Sequence, residues 1–340
     1  MTKLFSPMLL ACVCAISSCA TNHTEKQIDL SQQVSVDDTW KYLEQLQEIA
    51  NKNNNNRAVG SPGGIASTQY IVNTLKAHNL TPTLQDFKNT KGTAGTNVFV
   101  EIKGQSDTIT MIGGHYDSVE HGPGINDNGT GTAILLEIIA KIKANNITPK
   151  HTLRFAFWDS EEIGVAGSKY YVANLPEVEL KKIAQYINVD MVGTKDPTFL
   201  ITDGDGSSWV TMAAEFEKRG TTMEQKKLLD ETFKNLKLSY PVQVKGAEQL
   251  EQIFANYLTG QNVKFNDDYL LSNNSDIFPF LGKVPAFGFI MTNETQDSSG
   301  AVLYAPCYHQ ACDDIHNVDK NAFKIALEGT TQLLNQVAIR

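Results

Sequence analysis

Three side chains able to bind a metal or move a proton lie within one glycine-rich stretch, "GGHYDSVEHGPGINDNGTG" at 113–131. His115 comes two residues before Asp117, and Asp127 follows ten residues after Asp117. Glycine permits tight turns and close backbone approach, but it brings no side chain to bury. The stretch therefore cannot form a core of its own. Its residue types favour a ligand-bearing loop whose site is completed by other parts of the chain.

Residues of the same chemical types follow other apolar segments. Glu161 and Glu162 come directly after "TLRFAFWDS", and Asp190 ends "AQYINVD". His309 lies far downstream, between two cysteines. Binding sites of open α/β sheets form beyond the carboxyl ends of the strands. If these segments are strands of one parallel sheet, their terminal side chains meet in one crevice.

The candidate ligands are imidazoles and carboxylates, and the set contains no thiolate. This mixture suits zinc in a hydrolytic role better than it suits a structural cysteine site. One catalytic zinc takes about three protein ligands and a water. The set exceeds that need, whereas two ions sharing a bridging carboxylate would use all of it. The sequence therefore predicts two zinc ions per chain.

The elements that must position these residues alternate between strands and helices. Strand-like segments include "TNVFVEIKG", "TITMIGGHYDS", "TLRFAFWD", "IAQYINVDMV" and "VPAFGFIMT", and "GTAILLEIIAKIKANN" is among the helical ones. This alternation predicts an α/β fold of three layers, with a mostly parallel central sheet and helices on both faces. We expect one domain at 34–340 with a helical insertion at about 219–270, preceded by a linker at 19–33.

The first 18 residues have the pattern of an export signal. Lys3 precedes the apolar run "LFSPMLLACVCAI", which is too short for a permanent membrane helix. The "ISSC" that ends at Cys19 resembles the lipobox of bacterial lipoproteins, and cleavage near Ala20 by an ordinary signal peptidase is the alternative. We expect an exported protein, lipid-anchored at Cys19 to the outer membrane or the cell envelope.

Net charge and cysteine content restrict the partners and the compartment. The formal net charge of −9 argues against binding to a nucleic-acid backbone. No obligate protein partner is evident. Once Cys19 is set aside, Cys307 and Cys312 in "CYHQAC" are an even, local pair in an exported protein, which predicts a small disulfide loop.

Four segments resemble, in order and spacing, the motifs of dinuclear-zinc aminopeptidases related to bacterial leucine aminopeptidases. These segments are "GGHYDSVEHGPGINDNGTG", "FAFWDSEEIGVAGS", "INVDMVG" and "CYHQACDD". The resemblance runs from about residue 57 to the C-terminus and implies a peptide substrate. By the family pattern, one zinc is bound by His115 and Asp190 and the other by Glu162 and His309, with Asp127 bridging both.

The resemblance also implies catalytic roles. Glu161 would be the general base that takes a proton from the attacking water and passes it to the leaving amine. Asp117 would accept the ring N–H of His115. Tyr308 would help to stabilise the oxyanion, and the Cys307–Cys312 pair would hold its loop in place. The family often has a cis peptide bond after the bridging aspartate, here Asp127.

One motif departs from the family. Compact relatives have Arg-Ser-Asp-His where this chain has Asn274, Ser275, Asp276 and Ile277, which puts the substrate class in doubt. Glutaminyl cyclases, which are one-zinc acyltransferases, share the fold. A carboxypeptidase-type amidohydrolase and a non-catalytic, lipid-anchored binding protein remain further alternatives, because fold does not settle function.

Overall fold

The computed structural model describes residues 28–219, 222–239, 242–268, 274–296 and 300–340. The predicted signal peptide at 1–18 and the candidate lipidation site Cys19 lie outside these residues. Among the residues described, none of the helices combines the length and the apolar character needed to cross a bilayer.

Strands and helices alternate through most of the chain. The strands are Thr83–Lys88 (β1), Ala94–Ile102 (β2), Ser106–His115 (β3), His151–Trp158 (β4), Ile183–Val189 (β5), Thr198–Thr202 (β6), Phe265–Asp268 (β7), Ala286–Thr292 (β8), Thr295–Gln296 (β9) and Val302–Leu303 (β10). The helices are Val36–Lys52 (α1), Pro62–Ala77 (α2), Thr130–Ala144 (α3), Ala166–Asn174 (α4), Glu177–Leu180 (α5), Ser207–Arg219 (α6), Met223–Ser239 (α7), Ala247–Gly260 (α8) and Lys320–Leu334 (α9).

An eight-stranded sheet forms the middle of the molecule, with strand order β1-β2-β4-β3-β5-β8-β6-β7. Four neighbouring pairs are parallel, namely β3 with β4, β3 with β5, β5 with β8, and β6 with β7. The remaining three pairs are antiparallel. The predicted α/β class with a mostly parallel sheet is confirmed.

Alternate side chains of the central strands enter two separate cores, because successive residues of a strand point to opposite faces. On one face, Ile112 and Phe155 pack in a large cluster that includes buried residues of α1, α2, α3, α8 and α9. On the other face, Met111 and Trp158 belong to a smaller cluster with Tyr171 of α4. Helices therefore cover both faces, as predicted.

The packed chain begins before residue 34. Leu30 is fully buried in the large core, and its N–H donates to Asn335 Oδ1 at 3.1 Å. Asp29 accepts from Asn335 Nδ2 at 2.5 Å and pairs with Arg340 at 2.7 Å. Residues 28–33, placed in the linker by the sequence, are thus attached to the C-terminal end of the domain.

The segment predicted as a helical insertion contains two different kinds of helix. The described side chains of α7 are mostly exposed, and α7 packs on α6. In contrast, α8 buries Leu250, Phe254 and Leu258 in the large core, where the Phe254 ring lies 4.4 Å from that of Phe289. The four-residue spacing of these side chains makes one apolar helix face, so α8 is a structural layer of the domain.

Candidate metal centre

Three adjacent parallel strands bring the sequence-predicted residues to one edge of the sheet. Strand β3 lies between β4 and β5 and ends at His115, which is in register with Trp158 at the end of β4. The residues that follow β4 and β5 include Glu161, Glu162 and Asp190. The carboxyl ends of all three strands therefore open onto one crevice.

The first cluster of candidate ligands lies at the ends of β3 and β5. His115 Nε2 is 3.2 Å from Asp127 Oδ1 and 3.3 Å from Asp190 Oδ1. All three side chains are buried, and their ligand atoms lie close enough together to hold one metal ion.

The second cluster shares Asp127 with the first. His309 Nε2 lies 3.2 Å from Asp127 Oδ2 and 3.0 Å from Glu162 Oε2. These three ligand atoms also lie close enough together for one ion. Asp127 thus presents one carboxylate oxygen to each cluster, which is the arrangement that a bridging ligand requires.

Several atoms of the two clusters are buried without a hydrogen-bond partner among the described residues. They are His115 Nε2, Asp190 Oδ1 and Glu162 Oε1. An unsatisfied buried polar group costs about 1–3 kcal/mol, and more when it is charged. A cation bound to these atoms would remove that cost. The donors are imidazole nitrogens and carboxylate oxygens, so the residues fit zinc.

The charge balance of the clusters also favours a bound cation. Burial raises the pKa of Glu162 to about 7, and the charge of Asp127 adds to this effect. Burial acts to lower the pKa of His309, but hydrogen bonds with Asp127 and Glu162 outweigh it and raise the pKa to about 10. The carboxylates therefore draw protons to the centre, and a divalent cation would meet the same demand for positive charge.

Glu161 and Asp117 lie beside the clusters. His115 Nδ1 is 3.3 Å from Asp117 Oδ1, the same oxygen that accepts the backbone N–H of Glu161 at 3.1 Å. Asp117 is fully buried. Burial raises the pKa of Glu161 well above its ordinary value, and the charges of Glu162 and Asp190 add to the shift. Asp117 therefore links the position of His115 to that of Glu161.

The loop that carries Tyr308 and His309 is closed by the predicted disulfide between Cys307 and Cys312, which the structure confirms with an S–S distance of 2.08 Å. The Tyr308 ring stacks on the His309 ring with centroids 3.7 Å apart. This contact limits the orientations of the imidazole. The proposed action of Tyr308 on an oxyanion stays a prediction.

Glycine is required at two points on either side of Asp127, one in the loop and one at the start of α3. Gly124 has a φ of +60°, and a Cβ there would overlap the Asp127 carbonyl oxygen. A Cβ on Gly131, in the first turn of α3, would overlap the carbonyl oxygen of Val189. These contacts let the helix start lie directly against the end of β5. The peptide bond from Asp127 to Asn128 is cis, as the resemblance implies.

The segment 274–277, which departs from the family motif, contacts Asp190 on the side away from His115. Ser275 Oγ donates to Asp190 Oδ2 at 2.5 Å and accepts from Asn188 Nδ2 at 3.0 Å. Asp276 is fully buried and accepts from Ser168 Oγ at 2.5 Å. Ile277 is also fully buried, in the smaller core. The hydrogen bond from Ser275 to Asp190 was not predicted, because the two residues are 85 positions apart in the sequence.

A third acidic cluster, formed by Asp203, Asp205 and Glu251, lies elsewhere. Both Asp203 carboxylate oxygens accept hydrogen bonds from backbone N–H groups of residues 205–208, at the start of α6. Glu251 accepts the N–H of Gly204 at 2.8 Å. These carboxylates serve the start of the helix, and the structure gives no second sign of a ligand there.

Sequence relatives extend over most of the chain. It is 31% identical over 330 residues to leupeptin-inactivating enzyme 1 of Streptomyces exfoliatus, covering 94% of this chain and 64% of that protein. An aminopeptidase of Pseudomonas aeruginosa is 33% identical over 246 residues, covering 69% of this chain and 40% of that protein. The chain thus spans less than two thirds of the length of these relatives.

Solved structures show the same fold at low identity. BSAP, a zinc aminopeptidase from Bacillus subtilis, superposes with a TM-score of 0.66 at 16% identity, covering 90% of this chain and 96% of that one. Glutaminyl cyclase from Porphyromonas gingivalis gives a TM-score of 0.65 at 18% identity, covering 89% and 99%. Residues 97–333, which carry all the candidate metal ligands, match peptidase family M28, and the chain belongs to this family.

Proposed function

We propose that this protein is a zinc-dependent aminopeptidase that binds two zinc ions and removes N-terminal residues from peptides. The observation that carries the proposal is the position of Asp127, whose two carboxylate oxygens face two separate buried clusters. The names of the P. aeruginosa relative and of the B. subtilis structure support zinc-dependent aminopeptidase activity.

When bound, zinc would supply Lewis-acid polarisation of the scissile carbonyl and acidify water. The chain itself would supply the proton transfers. Glu161 would take a proton from the attacking water as the new C–O bond forms, and would return it to the amine nitrogen as the C–N bond breaks. The position of Glu161 supports this role, because its backbone N–H donates to the Asp117 oxygen that also lies 3.3 Å from His115 Nδ1, beside the first cluster. Asp117 would orient the His115 ring.

The choice of the amino end of the peptide rests on the aminopeptidase relatives. Two bound zinc ions would balance the carboxylates of Asp127, Glu161, Glu162 and Asp190, so net charge alone would not select an α-amine. A cleft of about 200 Å³ lies beside the second cluster, where Glu162 is the candidate ligand among its lining residues.

Export and a lipid anchor at Cys19 belong to the same proposal. The lipobox-like "ISSC" at 16–19 supports them. A probable lipoprotein aminopeptidase of Mycobacterium tuberculosis is 33% identical over 257 residues and covers 72% of this chain. Metabolic labelling of the full-length protein with a palmitate analogue would test the anchor, and labelling that persists after Cys19→Ala would contradict it.

The decisive experiment is mass spectrometry of a mixed peptide pool incubated with zinc-loaded protein that begins at residue 20. We expect stepwise loss of N-terminal residues that stops when a chelator removes the metal. Loss of ammonia from peptides with N-terminal Gln would instead identify a glutaminyl cyclase. Trimming from the other end would identify a carboxypeptidase, and an untouched pool would contradict peptidase activity on these substrates.

A further inference from the structure

Arg57 is a fully buried cation that no sequence motif singled out. Its guanidinium donates to three backbone carbonyl oxygens, those of Pro123 at 2.9 Å, Gly124 at 2.6 Å and Tyr116. Within the described residues it forms no ion pair, although the charges of Asp117 and Asp313 lie near enough to stabilise it. A buried guanidinium is costly unless its donors and its charge are matched, so this placement needs a reason.

The three carbonyls belong to the two ends of the single loop between β3 and α3, beside the candidate ligands His115 and Asp127. Tyr116 lies between His115 and Asp117, and Gly124 comes three residues before Asp127. The backbone of Arg57 is bound to the first end as well, since its N–H donates to Ser118 Oγ at 2.8 Å. One rigid, planar group therefore fixes the distance between the two ends of this loop.

The Asp313 carboxylate binds the second end of this loop from its other side. Asp313 Oδ1 accepts the N–H of Asn126 at 3.2 Å, and Asp313 Oδ2 accepts the N–H of Asp127 at 3.1 Å. Asp313 is itself held by Asn317 Nδ2 at 2.9 Å and is buried. The segment 123–127 is thus bound at its carbonyls by a cation and at its amides by an anion.

We propose that Arg57 and Asp313 are positioning residues that clamp segment 123–127 and so hold the Asp127 carboxylate between the two metal clusters. The inference rests on the proposed two-zinc centre. Neither side chain belongs to either cluster of candidate ligands. Their effect on zinc would pass through the backbone of the loop between β3 and α3.

The proposed clamp predicts that replacing Arg57 or Asp313 changes the affinity for zinc, whereas a purely structural role does not. If Arg57 were needed only for folding, its replacement would lower the stability of the metal-free and the zinc-loaded protein equally. The affinity for zinc would then stay the same. A positioning residue changes the affinity itself, because the ligands no longer converge without distortion. Partners outside the ligand set typically change metal affinity by about 10–100-fold.

The experiment measures zinc stoichiometry and affinity by competition with a chromophoric chelator, together with the Tm of the metal-free protein. The variants are Arg57→Lys, which keeps the charge but loses the planar fork, and Asp313→Asn, which is nearly isosteric. Arg154→Lys is the control. Arg154 is a partly buried arginine that pairs with the Glu101 carboxylate and donates to Tyr171 Oη, and it lies four residues before the end of β4, roughly 13 Å from the crevice.

We expect the wild type and Arg154→Lys to bind two zinc ions alike, and Arg57→Lys and Asp313→Asn to bind both ions about 10–100-fold more weakly. Affinities within twofold of the wild type in folded Arg57→Lys and Asp313→Asn would overturn the clamp alone. If Arg57→Lys does not fold, Asp313→Asn decides the question by the same criterion. A wild type that binds fewer than two zinc ions would overturn the proposed centre, and the clamp with it.

Discussion

Asp127 is the residue on which both candidate clusters depend. The other ligand-type side chains belong to one cluster each, whereas Asp127 contributes Oδ1 to the first and Oδ2 to the second. Burial alone would raise its pKa, but the imidazoles of His115 and His309, each with Nε2 3.2 Å from one of its oxygens, outweigh that effect and hold the pKa below its ordinary value. The carboxylate is therefore kept ionised for two neighbours at once.

We expect Asp127→Asn to weaken both zinc sites, because the amide removes the negative charge that both ions would share, and its nitrogen has no lone pair for the ion that it faces. Partners outside the ligand set change affinity by about 10–100-fold, so the site that faces the nitrogen should lose at least that much. Asp190→Asn is the matched control and should weaken only the His115 site. Stepwise chelator competition resolves the two, and equal behaviour of the two variants would contradict the bridging role.

Glu161 is the residue at which metal binding and proton transfer can be separated. We expect Glu161→Gln to retain both zinc ions and to lose about 10²–10⁴-fold in kcat, since Gln is nearly isosteric but cannot accept a proton. The comparison is Glu162→Gln, which should lose zinc as well as activity. Zinc content and peptide hydrolysis are measured on the same preparations. Hydrolysis by Glu161→Gln at close to the wild-type rate would assign the base elsewhere.

At the scale of elements, two different kinds of support hold the candidate ligands. His115, Glu162 and Asp190 stand at or just after strand ends of a hydrogen-bonded sheet, so their backbone is fixed by the core. His309 stands in a loop, has a φ of +57° and is about 39% exposed. The disulfide and the stacked Tyr308 ring are what tie this loop to itself.

Replacing both Cys307 and Cys312 with Ser should therefore affect the two clusters unequally. We expect zinc bound through His309 and Glu162 to weaken by about 10-fold, the lower end of the range for supporting interactions, while zinc at His115 and Asp190 keeps its affinity. Stepwise chelator competition measures both sites. Treatment of the wild type with a reducing agent serves as the chemical counterpart. Equal losses at both sites would show that the disulfide supports the domain as a whole.

The sequence predicted the inner strands of the sheet better than its edges. β3, β4, β5 and β8 are apolar runs because both of their faces are covered, and such runs are recognisable without a structure. β1 and β7 lie at the two ends of the sheet, are largely exposed, and were not predicted. Strands at the ends of a sheet have more exposed side chains, so the sequences of β1 and β7 are polar and lack the apolar run that marks a buried strand.

A similar distinction applies to the candidate site. Candidate ligands such as His115 and Glu162 could be proposed from the sequence because strand ends and motif spacing mark them, and the fold brings them together. Arg57, Asp313 and Ser275 were not predicted to support the site. Arg57 and Asp313 act through backbone carbonyls and amides of distant loops, and Ser275 binds a side chain 85 residues away. No local pattern encodes contacts of that kind, because they depend on which loops the fold brings together.

At the scale of the whole molecule, the two ends of the described chain are joined. Asp29 binds both Asn335 and Arg340, and Leu30 lies in the same core as the sheet and α9. The segment 28–33 therefore contributes apolar burial to the domain that carries the candidate metal centre. Cys19, the proposed lipidation site, lies nine residues before Ile28 in the sequence.

Leu30→Ala tests whether this segment is part of the domain or a linker. Truncation of a fully buried leucine typically lowers the free energy of unfolding by about 2–5 kcal/mol, and we expect a loss in that range. Ile28→Ala is the control. Ile28 is about 38% exposed, so its truncation should change the free energy of unfolding by no more than about 0.5 kcal/mol. Urea unfolding of the metal-free protein measures both, with chelator present so that zinc does not mask the difference.

If both variants unfold as the wild type does, residues 28–33 behave as a linker despite their contacts. A loss confined to Leu30→Ala would place the start of the cooperative domain at or before residue 30, ahead of the boundary at 34 expected from the sequence.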